Sequence, residues 1–194
     1  MQTISFPADA FSHGQIRSKI WLTKKLNMWS QKHMALDKTW VLNWYGSWCN
    51  VGPFMLLSNT FLNFIRINLY ELTDEYLEVA PKFLDFWRCE GVEINQIVGD
   101  VNSIYPNSYA QQLFVNTACE HMVGTQWVEN IPHGAFVLFQ STDMVHPEHI
   151  NRPLDLDDFT KPFLEFVEVL ESAQINFDYP DKSFNRYMLF GTKK

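Results

Sequence analysis

The chain has 194 residues, of which 46% are hydrophobic and 19% charged, and this composition excludes a disordered chain and a highly charged coiled coil. The net charge of −7 disfavours a dedicated duplex-DNA binder, which would carry a basic face. No apolar run is long enough to span a bilayer, and the three scattered cysteines are too few for a disulfide framework. With no signal-peptide pattern at the N-terminus, we expect a soluble protein of the cytoplasm.

The hydrophobic pattern predicts an alternation of helices and strands. A helical period covers residues 15–36, and Ser12 is its expected N-cap. Strand patterns cover residues 39–45, 65–70, 93–98, 112–116 and 134–140, and a final hairpin pairs 174–179 with 184–190 around a turn containing Pro180 and Asp181. Further helical segments are predicted at 54–63, at 74–87 after a Thr73 N-cap, at 121–129 and at 155–171 with an acidic start.

This order predicts an α/β fold with a Rossmann-like, seven-stranded, mostly parallel sheet, helices on both faces and a C-terminal antiparallel hairpin. We expect a single domain over 1–194, in which 1–38 form an N-terminal helical cap and 39–194 the α/β core. Ligands of such sheets bind at the carboxyl ends of the strands. The polar residues after the first four strands are therefore expected at one rim.

The first two strand ends carry candidate nucleotide-binding residues. Gly46 permits a tight turn where backbone amides approach a ligand, Ser47 adds a hydroxyl, and Trp48 can wall the pocket. The loop lacks the G-x-G-x-x-G pattern, which disfavours a pyrophosphate cofactor such as NAD. Glu71 closes the second strand, where a carboxylate can accept both hydroxyls of a ribose. The alternative for the loop is an ordinary strand-to-helix turn.

The third and fourth strand ends add further candidates. Asp100 and Val101 could hold the edge and face of an adenine, or Asp100 could simply be a turn residue. The densest polar cluster is N-T-A-C-E-H, in which His121 is a candidate general base and Glu120 could orient it or bind a substrate amine. Asn116 completes the candidate catalytic set. Alternatively, Asn116 and Glu120 cap a helix and His121 packs on its surface.

Four residues elsewhere are candidate substrate contacts. His13 and Gln15 lie in the segment S-H-G-Q before the first helix and are expected to fold over the pocket, while Gln140 ends the fifth strand. His146 follows in H-P-E-H, where two histidines three residues apart could ligate a metal. Proline disrupts the helix that would align them, and no other spacing supports zinc, so we predict no metal.

These motifs together resemble class I S-adenosylmethionine-dependent methyltransferases over nearly the whole chain, from Ser12 to Lys193. The similarity is closer still to a group of small methyltransferase-like proteins of tailed phages, which would place this protein in the host cytoplasm. The matching segments are S-H-G-Q at 12–15, G-S-W at 46–48, N-T-x-x-E-H at 116–121, I-P-x-G at 131–134, and the hairpin Y-P…F-x-R-Y-M-L-x-G at 179–191.

The resemblance implies S-adenosylmethionine as the cofactor and methyl transfer as the reaction. It implies that Gly46–Trp48 hold the methionine part, that Glu71 holds the ribose and that Asp100 and Val101 hold the adenine. It also implies that Asn116–His121 face the methyl group. Cys49-Asn50 stand where the phage group has Y-G, and the acid after the second strand is the longer Glu; both departures are expected to weaken cofactor binding.

The acceptor is unidentified. No D-P-P-Y-type element, which amino-methylating nucleic-acid enzymes use, follows the fourth strand. Together with the acidic charge, this favours a small-molecule or protein substrate over nucleic acid, and no membrane partner is expected. Two alternatives stay open: a degenerate methyltransferase-like module that binds without turnover, and an enzyme that cleaves the cofactor itself. The oligomeric state is not predicted.

Overall fold

The computed structural model describes residue 7 and residues 9–75, 80–180 and 182–194. In this part of the chain the strands are β1 Thr39–Tyr45, β2 Asn63–Glu71, β3 Glu93–Val98, β4 Gln112–Asn116, β5 Phe136–Thr142, β6 Val167–Asp178 and β7 Ser183–Lys193. The α-helices are α1 His13–His33, α2 Val51–Leu57, α3 Asp85–Cys89, α4 Gln126–Glu129 and α5 Leu156–Thr160. Three 3₁₀ turns cover Ala80–Leu84, Cys119–His121 and Lys161–Phe163.

The strands form one seven-stranded sheet in the order β3-β2-β1-β4-β5-β7-β6. The pairs β1/β2, β2/β3 and β4/β5 are parallel, and β7 is antiparallel to both β5 and β6. The predicted α/β fold class with its terminal antiparallel hairpin is confirmed. The backbone divides into two compact units, Met1–Gly99 and Asp100–Lys194.

In the first unit, a ladder of asparagine amides crosses the three strands. Asn43, Asn68 and Asn95 are register partners. The Nδ2 of Asn68 donates to Oδ1 of Asn43 at 2.9 Å, and the Nδ2 of Asn95 donates to Oδ1 of Asn68 at 3.0 Å. Because a one-residue slip would place apolar side chains opposite these amides, the ladder favours the observed register.

Helix α1 also lies in the first unit and begins as predicted. The Ser12 hydroxyl accepts a hydrogen bond from the Gln15 N–H at 3.3 Å, so Ser12 is the N-cap. The helix buries Leu22, Leu26 and Trp29 on one face. It ends at His33, three residues before the predicted end, because the backbone of the next residue is extended.

In the second unit, strands β4, β5, β6 and β7 supply a core of aromatic and aliphatic side chains. Phe114, Phe139, Phe177 and Phe190 are all fully buried. The hairpin is longer than the predicted pairing, since β6 and β7 pair from Val167 to Asp178; its turn residue 181 lies outside the described residues.

The helix predicted over 155–171 is wrong beyond its first turn. Asp155 caps α5 by accepting from the Asp158 N–H at 2.8 Å, but the helix gives way to a 3₁₀ turn that contains Pro162. Proline lacks the N–H that a continuing helix needs. From Val167 onward the chain is strand, and a bulge follows Val169.

Two other predicted helices are shorter than expected, and a third is described only in part. The segment 74–87 lies partly outside the described residues at 76–79, and its described end is the 3₁₀ turn Ala80–Leu84 followed by α3. The segment 121–129 is interrupted by Gly124, which has φ +63°, so that only α4 is helical there besides the 3₁₀ turn. The helix expected at 54–63 is α2, which ends at Leu57. No helix in the described part is long and apolar enough to cross a membrane.

Candidate functional site

The loop between β1 and α2 has an unusual backbone. Gly46, Trp48 and Asn50 have φ values of +63°, +47° and +59°. Left-handed conformations are costly for residues other than glycine and concentrate at functional sites. The Ser47 N–H donates to the Tyr70 carbonyl of β2 at 3.2 Å, which anchors the loop against the neighbouring strand.

Glu71 joins this loop from the end of β2. The Trp48 N–H donates to Oε2 of Glu71, and the Leu72 N–H donates to Oε1 at 3.3 Å. Burial raises the pKa of the Glu71 carboxyl, and these two backbone N–H groups act in the opposite direction. The carboxylate is therefore half-buried beside the loop, in the same unit as Gly46, Ser47 and Trp48.

The start of α1 packs against the same loop. Ala10, Cys49 and Val51 form a small buried cluster, and Ile16 and Trp48 pack against it. His13 and Gln15 belong to this end of the helix. His13 is exposed, and Oε1 of Gln15 accepts from the Lys19 ammonium at 3.0 Å.

Asn50 is a residue of the same loop that sequence reasoning did not single out. Its side chain is fully buried, and neither its Oδ1 nor its Nδ2 has a hydrogen-bond partner among the described residues. Buried amides without partners are rare in native proteins. The sequence signal was a small polar residue four positions after Gly46, in the loop between the first strand and the next predicted helix.

In the second unit, Asp100 builds a turn. Its Oδ1 accepts from the backbone and side-chain N–H groups of Asn102 at 2.9 and 3.0 Å, which agrees with the alternative of a turn residue. The buried Val101 contributes its carbonyl, which accepts from Nδ2 of Asn130 at 3.3 Å. The turn is therefore anchored on both sides.

The segment after β4 presents buried polar atoms. Asn116 accepts from the Ala118 N–H at 2.9 Å through Oδ1, while its buried Nδ2 has no partner among the described residues. Glu120 is 3% exposed, and its Oε2 also lacks a partner in the described part of the chain. His121 is exposed and ends a 3₁₀ turn, so it does not pack along a longer helix.

The segment that contains His146 and His149 packs against the segment after β4. The Glu120 carbonyl accepts from the N–H groups of Ile150 and Asn151 at 2.9 and 3.0 Å. This brings His149 to His121, whose ring centroids lie 4.9 Å apart. The ring of His146 lies 5.1 Å from that of His149. We call Glu120, His121 and His149 the Glu-His cluster; one ligand atom from each lies within 4.8 Å of the others.

Sequence reasoning grouped His149 with His146 in H-P-E-H, not with Glu120 and His121. It also missed Arg186 of β7, which is 5% exposed and whose Nε has no partner among the described residues. Burial lowers the pKa of Arg186, while Glu120 and Tyr179 raise it. The available signal was a lone charged residue inside an apolar run. Gln140, a predicted substrate contact, is fully buried within β5.

Two of the cysteines are buried next to these residues and are poor nucleophiles. Burial, together with the smaller effect of nearby carboxylates, raises the pKa of the Cys49 thiol to about 12. Burial also raises the pKa of the Cys119 thiol well above its usual range. A thiolate is the reactive form, so neither residue is suited to nucleophilic catalysis.

No family model matches the sequence, and no curated protein matches it either. Solved structures do resemble the fold. The N-methyltransferase NodS from Bradyrhizobium japonicum WM9 superimposes with a TM-score of 0.65 at 10% identity, covering 94% of this chain and 99% of that one. Its complex with S-adenosyl-L-homocysteine gives a TM-score of 0.62 at 12% identity, covering 95% and 91%.

Magnesium protoporphyrin IX methyltransferase (ChlM) from Synechocystis PCC 6803, with bound S-adenosyl-L-homocysteine, gives a TM-score of 0.65 at 8% identity. That similarity covers 98% of this chain and 90% of ChlM. At such identities the comparisons establish the fold, which is the one these methyltransferases share.

Proposed function

We propose that this protein binds S-adenosylmethionine and transfers its methyl group to a small-molecule or protein acceptor. The observation that carries the proposal is the bond from the Trp48 N–H to the Glu71 carboxylate. It brings together two features that the methyltransferase resemblance assigns to the cofactor. Two neighbours of the same fold, NodS and ChlM, contain S-adenosyl-L-homocysteine, the demethylated form of that cofactor.

The first loop and Glu71 would hold the cofactor's amino-acid part and ribose. Gly46 supplies the left-handed turn that begins this loop, and Ser47 adds a hydroxyl. The Glu71 carboxylate accepts hydrogen bonds, so it suits ribose hydroxyls, which donate them. Asn50, with both polar atoms free of partners in the described chain, supplies a further group beside the loop. The resemblance assigns the adenine to Asp100 and Val101.

When bound, S-adenosylmethionine supplies an electrophilic methyl group, so the protein mainly has to orient an acceptor and exclude water. His121 or Glu120 would accept the proton that an amine or hydroxyl acceptor loses. Asn116 would position the acceptor with its buried Nδ2. His146 lies on the segment that reaches the Glu-His cluster, which supports its assignment as an acceptor contact; His13, Gln15 and Gln140 stay proposals from the sequence.

A second candidate is a methyltransferase-like module that binds the cofactor or a partner without turnover. The observation in its favour is the first loop, where Cys49 and Asn50 replace residues of the phage group and Asn50 adopts a left-handed backbone. Such a module would retain the fold and lose transfer.

Calorimetric titration with S-adenosylmethionine and S-adenosylhomocysteine tests the proposal, with the ligand recovered and identified by mass spectrometry. Saturable binding of both ligands, recovered intact, is the expected result and leads to an acceptor screen. Binding with conversion of the cofactor alone would replace methyl transfer by cofactor cleavage. Absence of binding would contradict the proposal and favour an interaction module.

A further inference from the structure

The Glu-His cluster has the composition of a metal site. It offers one carboxylate and two imidazoles, a ligand set that borderline divalent ions such as Zn²⁺, Fe²⁺, Mn²⁺ and Co²⁺ accept. Mg²⁺ and Ca²⁺ prefer oxygen ligands, so two histidines disfavour them. Three protein ligands leave a coordination position open, as in catalytic zinc sites.

The spacing of the cluster is close to what coordination needs. The three ligand atoms lie within 4.8 Å of one another. Tetrahedral ligands at zinc distances stand about 3.4 Å apart, so small side-chain rotations would close the site. His121 is exposed and free to make such a rotation, whereas the backbone around Glu120 is held by its bonds to Ile150 and Asn151.

A backbone carbonyl fixes the tautomer of the neutral His149 ring. Its Nδ1 lies 2.8 Å from the Met144 carbonyl. A carbonyl can only accept, so in the neutral ring Nδ1 carries the proton and Nε2 keeps its lone pair. Histidines that bind metals in proteins are commonly fixed in this way by a backbone carbonyl on the other ring nitrogen.

The buried carboxylate of Glu120 is a second, independent observation that points to a ligand at this cluster. Glu120 is 3% exposed, yet its Oε2 has no partner among the described residues. Buried carboxylates are normally paired or coordinate metals. The Arg186 guanidinium interacts electrostatically with Glu120, but no ion pair joins the two in the described part of the chain, so the oxygen is available.

We propose that Glu120, His121 and His149 bind a divalent transition-metal ion, with an open coordination position for an oxygen atom of the acceptor. The metal site itself does not depend on methyl transfer; the acceptor's chemical class rests on the proposed function. That class is a hydroxyl compound, whose oxygen the ion would bind while the hydroxyl proton passes to solvent. As metal ligands, Glu120 and His121 would act on the acceptor through the ion, in place of the proton-accepting role proposed for them above.

Titration of the metal-stripped protein with Zn²⁺, and separately with Co²⁺ while its visible absorption is recorded, tests the site. We expect one equivalent to bind, with the intense visible bands of Co²⁺ at low coordination number. His121→Ala and Glu120→Gln should each weaken binding about ten- to hundredfold or more, since even changes outside the ligand set cost that much. His133→Ala removes an equally exposed histidine of the same unit and should leave binding unchanged.

Circular dichroism of each variant separates loss of a ligand from loss of fold, and His121→Ala, at an exposed position, keeps the test valid if Glu120→Gln does not fold. Failure of the wild type to bind Zn²⁺, or equal binding by His121→Ala and His133→Ala, would overturn the metal site. The same samples are titrated with S-adenosylhomocysteine. If the protein binds Zn²⁺ but not S-adenosylhomocysteine, the metal site is supported and the proposed function is refuted. If it binds S-adenosylhomocysteine but not Zn²⁺, only the metal site is refuted.

Discussion

The carboxylate of Glu71 offers the sharpest test of the cofactor assignment. Glu71→Ala removes the acceptor of the Trp48 N–H and, on the proposed function, the acceptor of the ribose hydroxyls. A hydrogen bond to a charged group contributes about 1.5–3 kcal/mol. At about 1.4 kcal/mol per factor of ten, the loss of one such hydrogen bond should raise the Kd for S-adenosylhomocysteine about 10- to 150-fold, and the loss of both should raise it more. Glu71→Gln, which keeps one carbonyl oxygen, should lose less.

Calorimetric titration of the wild type, Glu71→Ala and Glu71→Gln with S-adenosylhomocysteine measures this change in Kd. Glu90→Gln is the matched control, because it makes the same change of charge at an exposed position in the same unit. An unchanged Kd in a folded Glu71→Ala protein would refute the assignment of the ribose. If Glu90→Gln weakens binding as much as the Glu71 variants do, the net charge of the protein, and not the contacts of Glu71, controls the affinity.

The pH dependence of binding gives a second test of the Glu71 assignment. The pKa of Glu71 is raised above its ordinary value of 4.5, chiefly by burial. A proton binds more tightly to the folded than to the unfolded protein, so this group's effect on stability is unfavourable above the raised pKa and disappears as the pH falls below 4.5. Affinity for S-adenosylhomocysteine should change in the opposite sense: it falls as the pH drops through the raised pKa, and Glu71→Gln should remove this dependence.

The remaining predictions concern the loop, the catalytic segment, the thiols and the hairpin. Gly46→Val places a branched side chain at φ +63° and should abolish cofactor binding, measured by the same titration; normal affinity would place the cofactor elsewhere. His121→Ala should reduce turnover more than cofactor affinity, and intact turnover would make it structural. Only Cys89 is exposed, so a thiol reagent should label one equivalent quickly and two more after denaturation. The Tyr187 hydroxyl lies 3.0 Å from the Asp143 carboxylate and 3.2 Å from the Leu154 carbonyl. Asp143→Ala removes the shorter of these hydrogen bonds and should lower the free energy of unfolding, measured in a urea titration, by about 1–3 kcal/mol.

The sequence around each strand was sufficient where a short run of strand-forming residues has clear boundaries. Strands β1, β3 and β4 have the predicted bounds, and a glycine directly follows β1 and β3, although β1 and β4 are buried throughout most of their length and do not alternate. The segment 167–171 was assigned to a helix because its apolar spacing fits both periods. The segment is a strand because it pairs with β7.

The sequence predicted those parts of the candidate site whose positions follow from the parallel arrangement of the strands. Strands β1 and β2 are parallel neighbours, so their carboxyl ends meet, and the first loop and Glu71 were expected together. The Glu-His cluster was not predictable in the same way. His149 reaches His121 because two backbone N–H groups beyond it bond to the Glu120 carbonyl, and no side-chain pattern encodes the path of that loop.

The buried polar atoms of the second unit bear on whether the domain retains a ligand-binding site or only its fold. Atoms of Asn116, Glu120, Ser141 and Arg186 are buried without a partner among the described residues. Each such group costs about 1–3 kcal/mol, and apolar replacements of similar shape would remove that cost. A domain that retained only its fold would be free to accept those replacements. Their presence along β4, β5 and β7 and in the loop after β4 favours a site that still binds a polar ligand.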